Sequence, residues 1–347
     1  MSNNLGSLVA DIAGTELSPE DREIIAHPLI GGMILFTRNY ESRSQLTSLI
    51  KAMRNAKNGP LLIMVDQEGG RVQRFKNDFT LIPPMAALGV LFDQEPSLAL
   101  EKARDIGWLL AMELLAAGMD FSLAPVLDLN KQVSKVIGDR AFHTSSNVVI
   151  QLACTFIAGM KEAGMAAVGK HFPGHGSIAP DSHVAMPVDE RAFKQIENDD
   201  LLPFKALIKN SIPALMAAHI EFPNIDNKPV GFSSVWLNDI LRQQLGFKGM
   251  VLSDDLNMEG ANITSSYADR VALAKDAGCD LALLCNNRQG VIEVLDHLAP
   301  TSYLIDESKW TTLQGRFSNN PHSFEQSPRW VKTNEFIFNL SRDRVQL

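Results

Sequence analysis

The sequence predicts an α/β protein in which eight parallel strands close into a single TIM-type (β/α)8 barrel, followed by a C-terminal helical and irregular extension. Two observations lead to this fold class. Eight apolar runs of strand length recur along the chain, and segments with apolar residues at helical spacing separate them. Continuous apolar strands are typical of a parallel sheet covered by helices, and eight strand–helix units are the number that closes such a barrel.

The eight apolar runs each contain six or seven residues and occupy positions 7–13, 31–36, 61–66, 119–125, 166–171, 213–219, 249–254 and 279–285. Helices are expected between them, for example over 96–117, 145–164 and 234–245. Several of these segments are followed by glycine, the residue that most readily adopts the left-handed conformation at a helix end. A doubly wound open sheet is the alternative fold that this pattern leaves open.

We expect residues 1–300 to form the catalytic barrel and residues 301–347 to form the extension packed on it. The extension contains Trp310, Phe324 and Trp330, whose large side chains need an apolar surface to cover them. No linker, internal repeat or low-complexity segment marks a second domain, and no glycine-rich phosphate loop follows any predicted strand. We expect neither a cofactor nor a metal.

The composition is that of an ordinary globular protein, with 45% hydrophobic and 21% charged residues. Thirty-two Lys and Arg residues against 40 Asp and Glu residues give a formal net charge of −8. This balance argues against a protein whose main task is binding nucleic acid or an anionic membrane surface. We therefore expect a small-molecule substrate as partner, no nucleic acid and no membrane.

Cysteine usage and the start of the sequence indicate a soluble cytoplasmic protein. Cys154, Cys279 and Cys285 are odd in number and lack metal-type spacing, which is typical of buried thiols in a reducing compartment. No Lys or Arg precedes Arg22, and Asp11 interrupts the first apolar run, so a signal peptide is not expected. The acidic charge is compatible with either a monomer or an oligomer, and we expect a monomer.

Polar side chains stand at several predicted strand ends, where barrels of this kind carry their active sites. Four of the eight runs end in ionisable residues, namely Asp66, Lys170 with His171, His219, and Asp254 with Asp255. A single charged strand end is more typical of a solvated loop. Four of them, brought into one ring by the fold, predict a catalytic site. Periodicity does not separate Asp254 from Asp255.

The stretch with the most unusual composition follows the fifth run. Three histidines, His171, His175 and His183, fall within 13 positions, with glycines and a proline between them. Imidazole suits both proton transfer near neutrality and metal binding, and a structural loop is the third interpretation. Asp181, two residues before His183, can orient the ring and favour its protonated form.

Five ordered motifs between about residues 31 and 285 resemble the family 3 glycoside hydrolases. They are Val-Asp-Gln-Glu-Gly-Gly-Arg-Val-Gln-Arg at 65–74, Gly-Asp-Arg-Ala-Phe at 138–142, Lys-His-Phe-Pro-Gly-His-Gly at 170–176, Asp-Ser-His at 181–183 and Ser-Asp-Asp-Leu-Asn-Met at 253–258. Within the family, the likeness is to single-domain bacterial enzymes of peptidoglycan recycling.

The resemblance implies a retaining hydrolase that removes terminal β-linked N-acetylglucosamine, with cytoplasmic muropeptides as substrates. It implies that Asp254, rather than Asp255, is the nucleophile, and that His183 is the general acid/base with Asp181 as its partner. The sugar-binding positions that it implies are Asp66, Arg74, Arg140, Lys170 and His171.

These residue types suit the chemistry of retention, which requires an attacking carboxylate and a proton donor that later acts as a base. The usual pair is two carboxylates about 5–5.5 Å apart. Here an imidazole replaces one of them, which departs from the usual scheme. A histidine held by Asp181 can still be cationic when it protonates a leaving group and neutral when it activates water.

Two other functions are compatible with the residues. A metal-dependent barrel hydrolase could draw ligands from His171, His175, His183, His219 and Asp254. A His-x-His pair at the end of the first strand would favour it, and the sequence has no histidine there. A carbohydrate-binding barrel without activity would be expected to lack the nucleophile or the acid/base pair, and all of these residues are present.

Overall fold

A computed structural model describes residues 5–178, 186–299, 303–317 and 324–343. Eight parallel strands form a closed barrel with bounds Leu8–Ala10, Ile30–Leu35, Leu62–Val65, Phe121–Ser122, Ala166–Phe172, Ala214–Ala217, Met250–Asp255 and Leu281–Leu283. Each strand pairs with its neighbours in chain order, and the eighth closes onto the first through Leu8 opposite Ala282. The predicted barrel is confirmed, and the open sheet is wrong.

Helices fill the connections between the strands. Their bounds are Pro19–Ala26, Arg43–Ala56, Ala86–Gln94, Pro96–Ala116, Ser146–Ala163, Phe193–Glu197, Leu201–Lys209, Val235–Gln244, Tyr267–Ala277 and Arg288–His297. Single 3₁₀ turns lie at Thr37–Asn39, Gly138–Arg140, Val230–Phe232 and Glu259–Ala261. Two small hairpins follow the third and sixth strands, Gln67–Gly69 with Val72–Gln73 and Glu221–Phe222 with Asp226–Pro229.

Local sequence signals explain where the helices begin and end. Ser18 caps the first helix, because its hydroxyl accepts the Asp21 N–H at 3.0 Å and the Asp21 carboxylate accepts the Ser18 N–H at 3.0 Å. Pro19 occupies the first helical position, where no N–H is needed. The helix Ser146–Ala163 ends at Gly164, whose φ of +97° a residue with a Cβ rarely adopts.

The barrel strands are buried on both faces, as parallel strands between a packed interior and a helical layer must be. All residues of Ile30–Leu35 and Leu62–Val65 are buried, and one continuous apolar core joins the strands to the surrounding helices. Within the described part of the chain, no helix is both long enough and apolar enough to span a membrane.

Two C-terminal helices, Glu307–Leu313 and Pro328–Asp343, pack on the outside of the barrel. Trp310 is 4% exposed in the first of them. In the second, the Trp330 indole N–H donates to Glu113 at 3.1 Å, and the Arg329 guanidinium contacts a carboxylate of the helix Pro96–Ala116 at 2.8 Å. Apolar cover and charge pairs therefore both hold these helices on the barrel.

Candidate active site

A cavity of about 660 Å³ opens at the C-terminal end of the barrel. Six of the eight predicted site residues line it, namely Asp66, Arg74, Arg140, Lys170, His171 and Asp254. The other two, Asp181 and His183, lie outside the described residues. Residues more than 180 positions apart in the sequence therefore meet at one end of the barrel, as the strand-end argument predicts.

The floor of the cavity is a network of paired charges. The Lys170 ammonium lies 2.8 Å from a carboxylate oxygen of Asp66 and 2.6 Å from one of Glu68. Arg140 donates two hydrogen bonds of 2.8 Å to the two oxygens of Glu68. Arg74 lies at the edge of the network, 3.4 Å from Asp66. Because each group has charged partners, the donors and acceptors are held in fixed positions.

The network keeps its members ionised despite their burial. Burial alone raises the pKa of Glu68, but the charges of Arg140 and Lys170 outweigh it and hold that pKa well below its usual range. Burial likewise opposes ionisation of Asp66, whose pKa Lys170 and Arg74 bring below its ordinary value. The pKa of Lys170 is raised, because the two carboxylates outweigh the effect of burial. The floor thus presents full charges to a ligand at neutral pH.

A second cluster joins the end of the fourth strand to the histidine-rich loop. Asp128 accepts a hydrogen bond at 2.7 Å from His171 Nδ1, and its other oxygen accepts the backbone N–H groups of His171 at 3.2 Å and His175 at 2.7 Å. The two imidazole rings lie 6.1 Å apart between centroids. Burial, with the neighbouring His171, lowers the pKa of His175. This ring is therefore neutral at physiological pH.

The seventh strand brings two adjacent carboxylates to the cavity. One oxygen of Asp255 accepts the backbone N–H groups of Asn257 and Cys285, both at 3.0 Å. Burial raises the pKa of Asp255 to about 7, and the neighbouring Asp254 adds to the effect. Asp254 accepts the Asp255 N–H at 2.9 Å. Asp255 is thus held by backbone on two sides, as expected of a residue that shapes the strand end.

His219, a candidate metal ligand in the sequence, is a core residue. Its side chain is fully buried, stacks on Phe232 at 5.6 Å and lies 3.2 Å from the Asp255 carbonyl oxygen. Burial lowers the pKa of His219, so the ring is neutral. Among the residues that the structure describes, no group of three or more His, Cys, Asp or Glu side chains is arranged to hold a metal ion.

The sequence analysis missed two residues of the site. Glu68 was read only as part of the 65–74 motif, yet it pairs with both Lys170 and Arg140. Asp128, which stands just beyond the fourth apolar run, is the second residue that the sequence did not predict. The signal that could have found Asp128 was the one already used for the other strands, a charged residue at a strand end.

Comparison with known proteins decides the family. The sequence profile described as "Glycosyl hydrolase family 3 N terminal domain" matches residues 3–312. The chain belongs to glycoside hydrolase family 3. A protein named beta-hexosaminidase from Thiobacillus denitrificans is 47% identical over 345 residues, covering 99% of this chain and 96% of the relative. Another beta-hexosaminidase, from Methylobacillus flagellatus, is 51% identical over 294 residues, covering 85% of this chain and 84% of that protein.

Solved structures of similar proteins agree with the fold. NagZ from Neisseria gonorrhoeae in complex with N-trifluoroacetyl-D-glucosamine superposes with a TM-score of 0.90 at 38% identity, covering 96% of this chain and 97% of that one. The same Neisseria protein in complex with zinc ion gives a TM-score of 0.88 at 36% identity, covering 96% and 98% of the two chains. The shared fold therefore extends over nearly all of this family 3 chain and nearly all of the Neisseria protein.

Proposed function

We propose that this family 3 hydrolase is a retaining exo-β-N-acetylglucosaminidase that removes terminal β-linked N-acetylglucosamine through a covalent glycosyl-enzyme intermediate. One observation carries the proposal. The carboxylate of Asp254, at the end of a barrel strand, lines the same cavity as a fixed set of charged donors and acceptors suited to sugar hydroxyls. The named beta-hexosaminidases and the N-acyl-glucosamine complex of a related protein support the choice of sugar.

In the first step, Asp254 attacks the anomeric carbon while His183 donates its proton to the departing glycosidic oxygen. The aglycone leaves as an alcohol, and the sugar remains as an ester of Asp254. In the second step, neutral His183 takes a proton from water, and the resulting nucleophile displaces Asp254 and releases the sugar with its original configuration. Asp181 favours the cationic form of His183 that the first step needs.

The charged floor binds the sugar before either step. The Asp66 carboxylate and the remaining N–H groups of Lys170, Arg140 and Arg74 line the cavity and suit the alternating donors and acceptors of a pyranose ring. The network is paired before any ligand arrives. The enzyme therefore avoids most of the cost of ordering these side chains when the sugar binds. His171 completes the set from the side of the fifth strand.

The proposal extends to the setting of the enzyme. We place it in the cytoplasm, acting on muropeptides during peptidoglycan recycling; its three free cysteines suit a reducing compartment. We propose that the protein is a monomer. We also propose residues 1–300 as the catalytic barrel and 301–347 as the extension, supported by the packing of the two C-terminal helices.

The test compares chromophore release from three aryl β-glycosides, the N-acetylglucosaminide, the N-acetylgalactosaminide and the glucoside. We expect the N-acetylglucosaminide to give the highest kcat/KM and the glucoside the lowest. Overnight treatment with a chelator should leave turnover unchanged. Equal rates on the glucoside, or activity that chelation removes and zinc restores, would contradict the proposal.

A further inference from the structure

Asp128 carries a buried carboxylate that the proposed mechanism does not use. Its side chain has no exposed surface. Burying a carboxylate is costly unless hydrogen-bond donors surround it. Among the described residues no Lys or Arg lies within ion-pair distance of Asp128, and its donors are two backbone N–H groups and His171 Nδ1. The imidazole is thus its one side-chain partner in the described chain.

This arrangement determines which nitrogen of His171 faces the cavity. A carboxylate 2.7 Å from Nδ1 requires a proton on Nδ1. Since Nδ1 is occupied, Nε2 is the nitrogen left for a ligand, and His171 lines the cavity. The ring is thereby restricted to one tautomer when neutral and to a donating Nε2–H when cationic.

The backbone around Asp128 holds this geometry rigidly. The N–H of Gly174 donates to the His171 carbonyl at 2.8 Å, which folds the loop back on the strand end. A Cβ at Gly176 would lie 1.8 Å from the carbonyl oxygen of Leu129, so the loop contacts the Asp128 segment directly. Neither the carboxylate nor the ring can move without displacing the other.

We propose that Asp128 is a positioning residue that fixes the tautomer and orientation of His171, so that Nε2 meets the sugar in a defined donor or acceptor state. The proposal rests on the sugar-binding role given to His171 above. Asp128 does not touch the substrate and acts through the imidazole.

The variant Asp128→Asn tests this with little change in shape. The asparagine carbonyl oxygen can still accept the two backbone N–H groups, while its NH₂ faces Nδ1 and requires that nitrogen to be unprotonated. The proton of His171 therefore moves to Nε2. We expect kcat/KM for an aryl β-N-acetylglucosaminide to fall by about tenfold or more, mainly through KM.

A double-mutant cycle separates positioning from loop structure. In a His171→Ala background, Asp128→Asn should change kcat/KM by less than about twofold, because the residue through which it acts is absent. If the fold-loss of kcat/KM in the double variant equals the product of the losses in the two single variants, the proposal is overturned, since Asp128 would then act through the loop backbone.

Nitrogen-15 NMR of the histidines gives a readout that does not depend on activity, and its wild-type measurement does not depend on the variant folding. The wild-type protein should show His171 protonated at Nδ1, and Asp128→Asn should show it protonated at Nε2. A neutral wild-type ring with its proton on Nε2 would overturn the proposal. If the wild-type enzyme instead hydrolysed none of the glycosides, the proposed function would fail while the NMR result still decided the role of Asp128.

Asp120→Asn is the matched control at the opposite end of the barrel. Asp120 is also buried and accepts two backbone N–H groups, from Ile63 at 2.7 Å and Gly315 at 3.1 Å. This change should lower Tm but leave kcat/KM and the His171 NMR signals unchanged. A comparable loss of kcat/KM in Asp120→Asn would show that the effect of Asp128→Asn is general destabilisation.

Discussion

A carboxylate lies at each end of the seventh strand, Met250–Asp255: Asp280, the residue before the eighth strand, at its start, and Asp254 at its end. The two ends differ in what surrounds these carboxylates. At its start, Asp280 accepts the Val251 N–H at 2.7 Å and pairs with Arg242 at 2.8 Å and Lys309 at 2.7 Å. These donors come from the strand itself, from a barrel helix and from the first C-terminal helix. The carboxylate therefore joins three elements of the fold and faces no cavity among those described.

At the end of the same strand, Asp254 lines the same cavity as Asp66, Arg140 and Lys170. Its surroundings are loops and strand ends, which the barrel positions but does not need in order to fold. The comparison teaches that buried or half-buried charge alone does not identify a functional residue. What distinguishes the cavity end is that its paired charges face an open volume in which a ligand can replace water.

Asp254→Asn should produce the largest effect on activity. Loss of the proposed nucleophile removes the covalent route, so kcat should fall by about 10⁴-fold or more. Tm should stay within a few degrees of the wild-type value, because the amide can still accept the Asp255 N–H. Initial rates and thermal melts measure the two quantities. Retention of a tenth of the wild-type kcat would place the nucleophile elsewhere.

Glu68→Gln should affect both activity and stability, because Glu68 lies beneath the cavity and binds two of its cations. We expect kcat/KM to fall by about 10²- to 10³-fold and the free energy of unfolding to fall by about 3 kcal/mol, since Arg140 and Lys170 would share fewer negative charges. Chemical denaturation and steady-state kinetics are the measurements. If stability falls while kcat/KM is unchanged, Glu68 stabilises the fold and does not contribute to activity, as we expect of Asp280.

Asp280→Asn should lower stability and leave activity unchanged, whereas Asp254→Asn should lower activity and leave stability nearly unchanged. Loss of the charge weakens the contacts with Arg242 and Lys309, and we expect the free energy of unfolding to fall by about 1–3 kcal/mol. The folded enzyme should keep its kcat and KM within about twofold, because no contact of Asp280 reaches the cavity. A tenfold loss of kcat in fully folded protein would contradict the distinction between a structural role at the start of the strand and a role in activity at its end.

Asp255→Asn should produce the smallest effect, and one that depends on pH. Burial raises the pKa of Asp255 from 3.8 to about 7, with Asp254 and Asp11 adding to the shift. Between about pH 4 and 7 the folded protein holds a proton that the unfolded chain has released, so this residue's contribution to stability is lost as pH rises through that interval. Asparagine does not titrate.

The Tm of Asp255→Asn minus the Tm of the wild type should therefore be higher at pH 8 than at pH 5, by about 2–4 °C. Thermal melts in matched buffers at constant ionic strength measure the difference. A difference in Tm that is the same at both pH values would show that the carboxyl group is ionised across the range, as an exposed Asp255 would be.

Much of the fold was predictable because parallel barrel strands are buried on both faces and appear as continuous apolar runs. All eight runs contain or overlap a barrel strand, although the fourth is reduced to Phe121–Ser122. The shortening has a physical cause, since Ala124-Pro125 follows and proline has no N–H for the ladder.

The site residues at strand ends were predictable from the sequence, but the hydrogen bonds and ion pairs between site residues were less so. The charges of Asp66, Lys170 and Asp254 stand at ends that the apolar runs mark. The links from Glu68 to Arg140 and from Asp128 to His171 join residues 72 and 43 positions apart, and only the path of the loops brings them together. Neither composition nor periodicity contains that information.

The central claim is that the seventh strand carries the nucleophile at its cavity end, and trapping the covalent intermediate tests it most directly. A slow fluorinated N-acetylglucosamine donor, followed by digestion and mass spectrometry, should label one peptide, containing residues 251–258, on Asp254. Asp254→Asn should take up no label, and Asp280→Asn should label like the wild type. Labelling of Asp66, Glu68 or Asp255, or release of sugar with inverted configuration by NMR, would contradict the account.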